Sequence, residues 1–408
     1  MNTFPGGHSQ LRPLREVMRD MVGSVYLPAF LSSIAQHAIM IMLPLYALQF
    51  EGGAALAALM LGSRGAGVML ADLPAGMLVS RLGDKTVMVA GLALSVVVTA
   101  AAALFDSSLA LLLVALGSGI GTGLWTIARL VYVTDHVALE QRGRVIAVIA
   151  GVQRSSALIG PALAGIGVQV LGYAATFLIC AGIYALTLVA LLVLAKGMRN
   201  AAATHRVPLL QVVREHRRVF ATAGTVMVML QFLRNARLWV IPVWGTALGL
   251  DVVTIGFIFS ASSAMDMIMF YPAGQILDHL GRRFALTPAL ILLGVSIALM
   301  PLTDGLWSFT ACAILSGLGN GFSTGIFMTL GGDFAPRNGR GEFLGVWRLV
   351  GDIGMATGPF LIGVLAQLGS VATASAATGG LGLVGVFVLW AFVPETLRRR
   401  TVSDDDSD

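Results

Sequence analysis

Apolar residues run through this chain in blocks of about 20, the length a helix needs to cross the hydrocarbon of a bilayer, and each block ends in a short polar or Gly/Pro-containing stretch. Twelve such blocks predict twelve spans: roughly 23–49, 55–79, 87–105, 109–133, 145–170, 174–196, 220–247, 253–277, 285–303, 307–331, 343–367 and 374–394. The blocks lack the every-other-residue alternation of barrel strands, which leaves helices as the structure that satisfies the backbone within lipid. The predicted fold class is an all-α membrane protein.

The blocks repeat at an offset of 198 residues without a gap. Pro74-Ala75-Gly76 falls on Pro272-Ala273-Gly274, and Leu82-Gly83 on Leu280-Gly281. Asp135 falls on Asp333, and Gly160-Pro161 on Gly358-Pro359. Glycine and proline fix close approaches, kinks and helix ends, so a repeat in these residues implies two structurally equivalent halves. The organisation read from the sequence is a tail (1–22), a six-helix half (23–196), a linker (197–219), a second six-helix half (220–394) and a second tail (395–408).

Composition agrees: 57% of residues are hydrophobic, 12% are charged and the mean hydropathy is +0.85, whereas soluble domains carry about 25% charged residues. Of the 26 Lys and Arg, 20 lie in the tails and in the loops on one side, and the opposite loops carry none. The positive-inside rule therefore places both termini in the cytoplasm, with the chain in a bacterial cytoplasmic (inner) membrane. The net charge of +5 reports topology, so no nucleic-acid partner is implied. Cys180 and Cys312 both fall inside spans and suggest no disulfide; no metal-ligand cluster is present. Nor is there a nucleotide-binding loop or a His-Glu-x-x-His motif, which argues against an enzyme, an ATP-driven pump and any bound cofactor.

Two loop motifs carry a family resemblance. Gly76-Met77-Leu78-Val79-Ser80-Arg81-Leu82-Gly83-Asp84-Lys85 resembles the major facilitator superfamily signature Gly-x-Leu-x-Asp-Arg-x-Gly-Arg-Lys, and Gly274 to Arg283 is its second-half counterpart, with Asp278, Gly281 and Arg282 in place. The first half has Ser80 where the signature has Asp, which implies a weaker latch there, with Asp135 and Asp333 as expected partners of Arg81 and Arg282. Spans 5 and 11 are similar to the antiporter signature Gly-x8-Gly-x3-Gly-Pro-x2-Gly-Gly. Span 11 gives Gly345, Gly354, Gly358-Pro359 and Gly363, while span 5 gives the degenerate Ala147, Ser156, Gly160-Pro161 and Ala164-Gly165. The resemblance is to the drug:proton antiporter (multidrug efflux) group. It implies alternating access of two halves around a central site, driven by the proton gradient.

Nine acidic and basic residues inside spans need partners or a wet cavity, since each costs roughly 2.5–3.5 kcal/mol at the bilayer centre. The family's helix neighbours, with depth counted at about 1.5 Å per residue, pair Asp72 with Arg348, Arg64 with Asp352, and Arg154 with Asp266. These pairs serve either plain neutralisation or gating, in which a carboxylate takes up a proton and releases its arginine. Asp352, Asp266, Asp72 and His37 are the proton-coupling candidates. The substrate-binding candidates are Gln36, His37, Trp125, Arg129, Gln231, Arg234, Asn235, Arg237 and Trp239, on helices that the family places around the cavity. The function expected is proton-coupled export of small organic molecules, drug-like compounds or organic anions, by a monomer in the lipid bilayer. The alternative is a proton-coupled importer or facilitator of a small organic anion.

Overall fold

The computed structural model describes residues 13–195, 209–336 and 339–397; most of the 197–219 linker and the basic Arg398–Arg400 run lie outside them. The described chain is almost entirely helical and turns where the sequence supplies helix ends. Ser107 and Asp251 accept the backbone N–H groups of Ala110 and Thr254, and Ser370 and Thr373 form a reciprocal capping box. Gly83 and Gly281, at φ +83° and +113°, make the matching tight turns between spans 2 and 3 and spans 8 and 9.

The first half holds α1 (Leu14–Met21), α2 (Leu27–Ala47), α3 (Gly53–Leu82), α4 (Asp84–Ala102), α5 (Ser108–His136) and α6 (Leu139–Leu194). The short α7 (Leu209–Glu215) and α8 (Arg217–Val219) lead into the second half. That half continues as α9 (Thr225–Ala247), α10 (Val252–His279), α11 (Arg282–Leu299), α12 (Leu306–Phe322), α13 (Ile326–Phe334), α14 (Arg340–Leu368) and α15 (Val371–Phe392).

Among the described residues, eleven helical stretches are long and apolar enough to span a membrane, and one of them is two spans. α6 runs 56 residues, about 84 Å at 1.5 Å per residue against a hydrocarbon core of about 30 Å, and it turns a corner at Gly172 (φ 81°, ψ 171°). Its arms are spans 5 and 6, so the architecture is twelve helices in two six-helix halves.

Three local features depart from the sequence expectation. The first span begins at Leu14, inside the stretch read as a tail, because Val17 and Met21 are buried against the bundle. A π turn at Val22–Tyr26 joins α1 to α2, and a second at Phe220–Gly224 joins α8 to α9, at the same 198-residue offset. The tenth span is broken: α12 ends at Phe322 and α13 restarts after Gly325 in the left-handed region (φ 74°).

Across the halves, α3 packs on α14, α6 on α10 and α2 on α9. The closest backbone approaches lie on the side away from the chain ends. A Cβ at Gly165 would stand 2.8 Å from the Val252 carbonyl oxygen, one at Gly256 2.6 Å from that of Pro161, and one at Gly65 2.8 Å from the Ala356 Cα. Toward the side of the chain ends, Gly76, Gly143, Gly274 and Gly341 have nothing within contact range. The halves are thus sealed against each other at the far side by these backbone contacts.

Candidate substrate cavity and cross-half ion pairs

A cavity of about 370 Å³ opens between the halves at mid-depth, within the usual size range of small-molecule sites. α2 contributes Gln36, His37 and Met40, and α6 contributes Gln153, Arg154 and Ala157. From the second half come Gln231, Arg234, Asn235 and Arg237 on α9, Phe259, Ser263 and Asp266 on α10, Asn320 on α12 and Met355 on α14. The sequence reading missed Gln153, Phe259, Ser263, Asn320 and Met355. For Asn320 the available signal was a lone amide within a span, among Gly317, Gly319 and Gly321.

Hydrogen bonds fix the polar groups. The His37 Nδ1 lies 2.8 Å from the Ser33 carbonyl oxygen, which can only accept, so the proton of the neutral ring is on Nδ1 and Nε2 remains an acceptor. Arg234 donates from Nε to Asn320 Oδ1 (2.9 Å) and from Nη1 to Gln231 Oε1 (3.1 Å). Arg237 donates from Nη1 to Ser262 Oγ (3.1 Å), lies 5.1 Å over the Phe259 ring, and keeps a buried Nε with no partner. The Asn235 amide donates to the Gln231 carbonyl.

Among the described residues, two ion pairs join the halves. Arg154 on α6 donates to Asp266 Oδ1 on α10 (2.7 Å) and to Thr324 Oγ1 in the break of the tenth span (2.5 Å). Arg348 on α14 donates from Nε to Asp72 Oδ2 on α3 (2.7 Å), while Asp352 Oδ2, one turn along α14, stands 3.9 Å from the same Nε. Asp352 Oδ2 is buried without a hydrogen bond, so one arginine sits between two carboxylates and is bonded to only one.

Other sequence candidates lie elsewhere. Arg64 does not meet Asp352; it is buried against α5, where it donates to Thr122 Oγ1 at 3.4 Å. Equal depth along two helices fixes no rotation about either axis, and Arg64 is turned toward its own half. Trp125 and Arg129 do not line the cavity. Arg129 is buried on α5 with its guanidinium 5.4 Å from the Trp125 ring and Nη1 unpartnered. Trp239 is fully buried at the far-side seal, donating from Nε1 to the Ala54 carbonyl of the opposite half (2.7 Å).

The conformational motifs divide the same way. Arg282 reaches Asp333 Oδ2 at 2.8 Å, as its loop predicts. Arg81 is exposed and makes no ion pair with Asp135 among the described residues, because that loop is held differently: Asp84 Oδ1 accepts the N–H of Lys85, whose Nζ donates to the Ala195 carbonyl (2.9 Å). Asp278 is exposed without a described bond. Gly160 packs against α2 at Ile34 and His37, and Gly354 and Gly358 pack against α9 at Val228 and Phe232, all within one half. In the span 5 motif it is Pro161 and Gly165 that meet the opposite half, at Gly256 and Val252.

Two halves of six spans around one central cavity is a transporter arrangement, and the family model for the Major Facilitator Superfamily matches residues 25–239 and 219–406. The chain belongs to the Major Facilitator Superfamily. A curated relative, an uncharacterized MFS-type transporter of Methanocaldococcus jannaschii, is 22% identical over 170 residues. That match covers 42% of this chain and 43% of the relative. A POT family transporter solved with a thioalcohol-conjugated peptide superposes with a TM-score of 0.77 at 14% identity, covering 91% of this chain and 95% of the other. The nucleoside transporter NupG, solved as a point variant, gives 0.73 at 16% identity, covering 91% and 99%. At these identities the likeness is one of fold. Membership of the superfamily makes the chain a multi-pass membrane transporter of small molecules, and a transporter rather than an enzyme.

Proposed function

We propose that this superfamily member is a proton-coupled secondary transporter that exports a small organic molecule by alternating access. The observation that carries the reading is the arginine shared across the halves by Asp72 and Asp352 beside the cavity. A carboxylate that takes up a proton loses its charge attraction for Arg348. Protonation of Asp72 loosens one half from the other, with Asp352, on the same helix as Arg348, as the arginine's alternative partner, and re-pairing with Asp72 draws the halves together. The glycine–proline kinks of spans 5 and 11 support the exporting direction, because Pro161 and Gly165 form part of the far-side seal. The arginine-rich loops support cytoplasmic termini in a bacterial inner membrane, which makes the sealed side the one away from the cytoplasm.

The test is luminal pH in proteoliposomes under an imposed proton gradient while candidate solutes are added. Solute-triggered proton efflux that is lost in Asp352→Asn supports coupled antiport. Solute flux with no proton signal would sink the coupling and leave a facilitator.

A further inference from the structure

The cavity carries more positive charge than its own carboxylate balances. Three arginines line it against one aspartate, and that aspartate is engaged by Arg154 from the opposite half. Arg234 and Arg237, three residues apart on α9, lie on one face of the helix, and neither makes an ion pair among the described residues. The oxygens that hold Arg234 are the neutral amides of Asn320 and Gln231, which aim the guanidinium without cancelling its charge. Arg237 is 6% exposed and keeps an unpartnered Nε. Two uncompensated guanidinium groups at mid-membrane are expensive unless a counter-charge arrives with the ligand.

The 198-residue repeat shows where that counter-charge belongs. Gln36 and His37 on α2 correspond to Arg234 and Asn235 on α9, and all four line the cavity. The same backbone position is neutral in one half and cationic in the other. A ligand with charge at one end fits this asymmetry, and a lipophilic cation is repelled by it.

We propose that the transported substrate is an organic anion carrying two negative charges, a dicarboxylate or a phosphate monoester, with its charged group seated at Arg234 and Arg237. Planar guanidinium forks match both carboxylate and phosphate oxygens. The less charged end faces α2, where Gln36 and the His37 Nε2 meet hydroxyl or amide groups and Met40 supplies apolar contact. The proposal deepens the transporter reading above and rests on it.

The experiment uses the full chain in detergent. Succinate, glycerol phosphate, butyrate, glycerol and tetraphenylphosphonium are titrated by calorimetry and by shift of the melting temperature, and the same five are then tested for exchange in proteoliposomes. One dianion is expected to bind and to raise the melting temperature, and the other four solutes to do so weakly or not at all. Succinate as the better ligand assigns a dicarboxylate, and glycerol phosphate a phosphate ester. Arg234→Gln and Arg237→Gln should each weaken that binding by about tenfold or more, and Arg234→Lys, which keeps the charge but not the fork, should recover only part of it. A melting temperature near that of the parent without added solute certifies that each variant is folded. Binding of neither dianion, preference for tetraphenylphosphonium, or dianion binding unchanged in both Gln variants overturns the proposal. Exchange of tetraphenylphosphonium would leave the transporter reading standing without the anion site. Dianion binding with no exchange of any solute would remove the transporter reading and leave the site.

Discussion

The two halves have nearly the same backbone and quite different chemistry. Both open on a π turn at the same register, and both turn on a left-handed glycine before the third span of the half. In both, a glycine presses on a backbone carbonyl: Gly119 on Arg64 and Gly317 on Ser262. The side chains at matched positions then diverge. Arg154 corresponds to Asp352, Gln36 to Arg234, and Arg64 to Ser262. α5 runs unbroken through the fourth span, whereas the tenth is interrupted at 323–325 and uses Thr324 to hold Arg154. Symmetry thus resides in the residues that place the backbone, and function in the residues that depart from it. An irregular backbone at membrane depth is tolerated where protein or a cavity satisfies its polar groups, and here it borders the cavity.

The largest effects should respect the symmetry. Gly119→Val and Gly317→Val each push a side chain into a carbonyl that has nowhere to go. Both should cost about 3 kcal/mol or more and abolish the monodisperse peak in size-exclusion chromatography. If one half tolerated the change, the claim of equivalent packing would fail.

Next come the two carboxylates, where symmetry should break. Asp266→Asn leaves Arg154 buried without its counter-charge, a loss of about 3–5 kcal/mol, read as a large drop in melting temperature. Asp352→Asn breaks no close ion pair in this conformation, since Arg348 stands 3.9 Å away, and should cost about 1 kcal/mol or less. Equal destabilisation by both would mean that Asp352 is structural and would weaken its assignment to coupling.

The smallest effects belong to the loops. Lys85→Ala frees the end of α6 in the first half, while Glu395→Gln weakens the clasp on the N-terminus of α11 in the second, where the carboxylate accepts the N–H groups of Arg282 and Arg283. Each should cost about 0.5–2 kcal/mol, seen as faster amide exchange confined to its own half. Partial burial raises the Glu395 pKa, but the bonds from Leu397, Arg282, Arg283 and Thr396 outweigh it and hold the carboxyl below its ordinary value of 4.5. With the folded value depressed, the stabilisation is complete above the unfolded pKa and is lost as pH falls through the folded one. The Glu395→Gln variant should lack that acid dependence in thermal melts taken between about pH 6 and about pH 3.

Much of this was legible in the chain. Run lengths gave the helices, and the glycine and proline repeat gave the halves, because those residues act on the backbone wherever they stand. Gln36, His37, Gln231, Arg234, Asn235 and Arg237 were readable as cavity residues because polar groups within a span need somewhere wet to face. Arg64, Arg129, Trp125 and Trp239 were misplaced for one reason: sequence gives depth along a helix, and azimuth is settled by packing. The break at 323–325 was also hidden. The fourth span carries the same glycine triplet, Gly119, Gly121 and Gly123, and stays whole.

The paired π turns separate what the local sequence dictates from what the bundle imposes. Val22-Gly23-Ser24-Val25-Tyr26 and Phe220-Ala221-Thr222-Ala223-Gly224 share no residue at any matched place, yet both wind the same wide turn. No local code is shared, so the surplus residue in each turn is held by the packing of the bundle around it and not by the side chains within the turn.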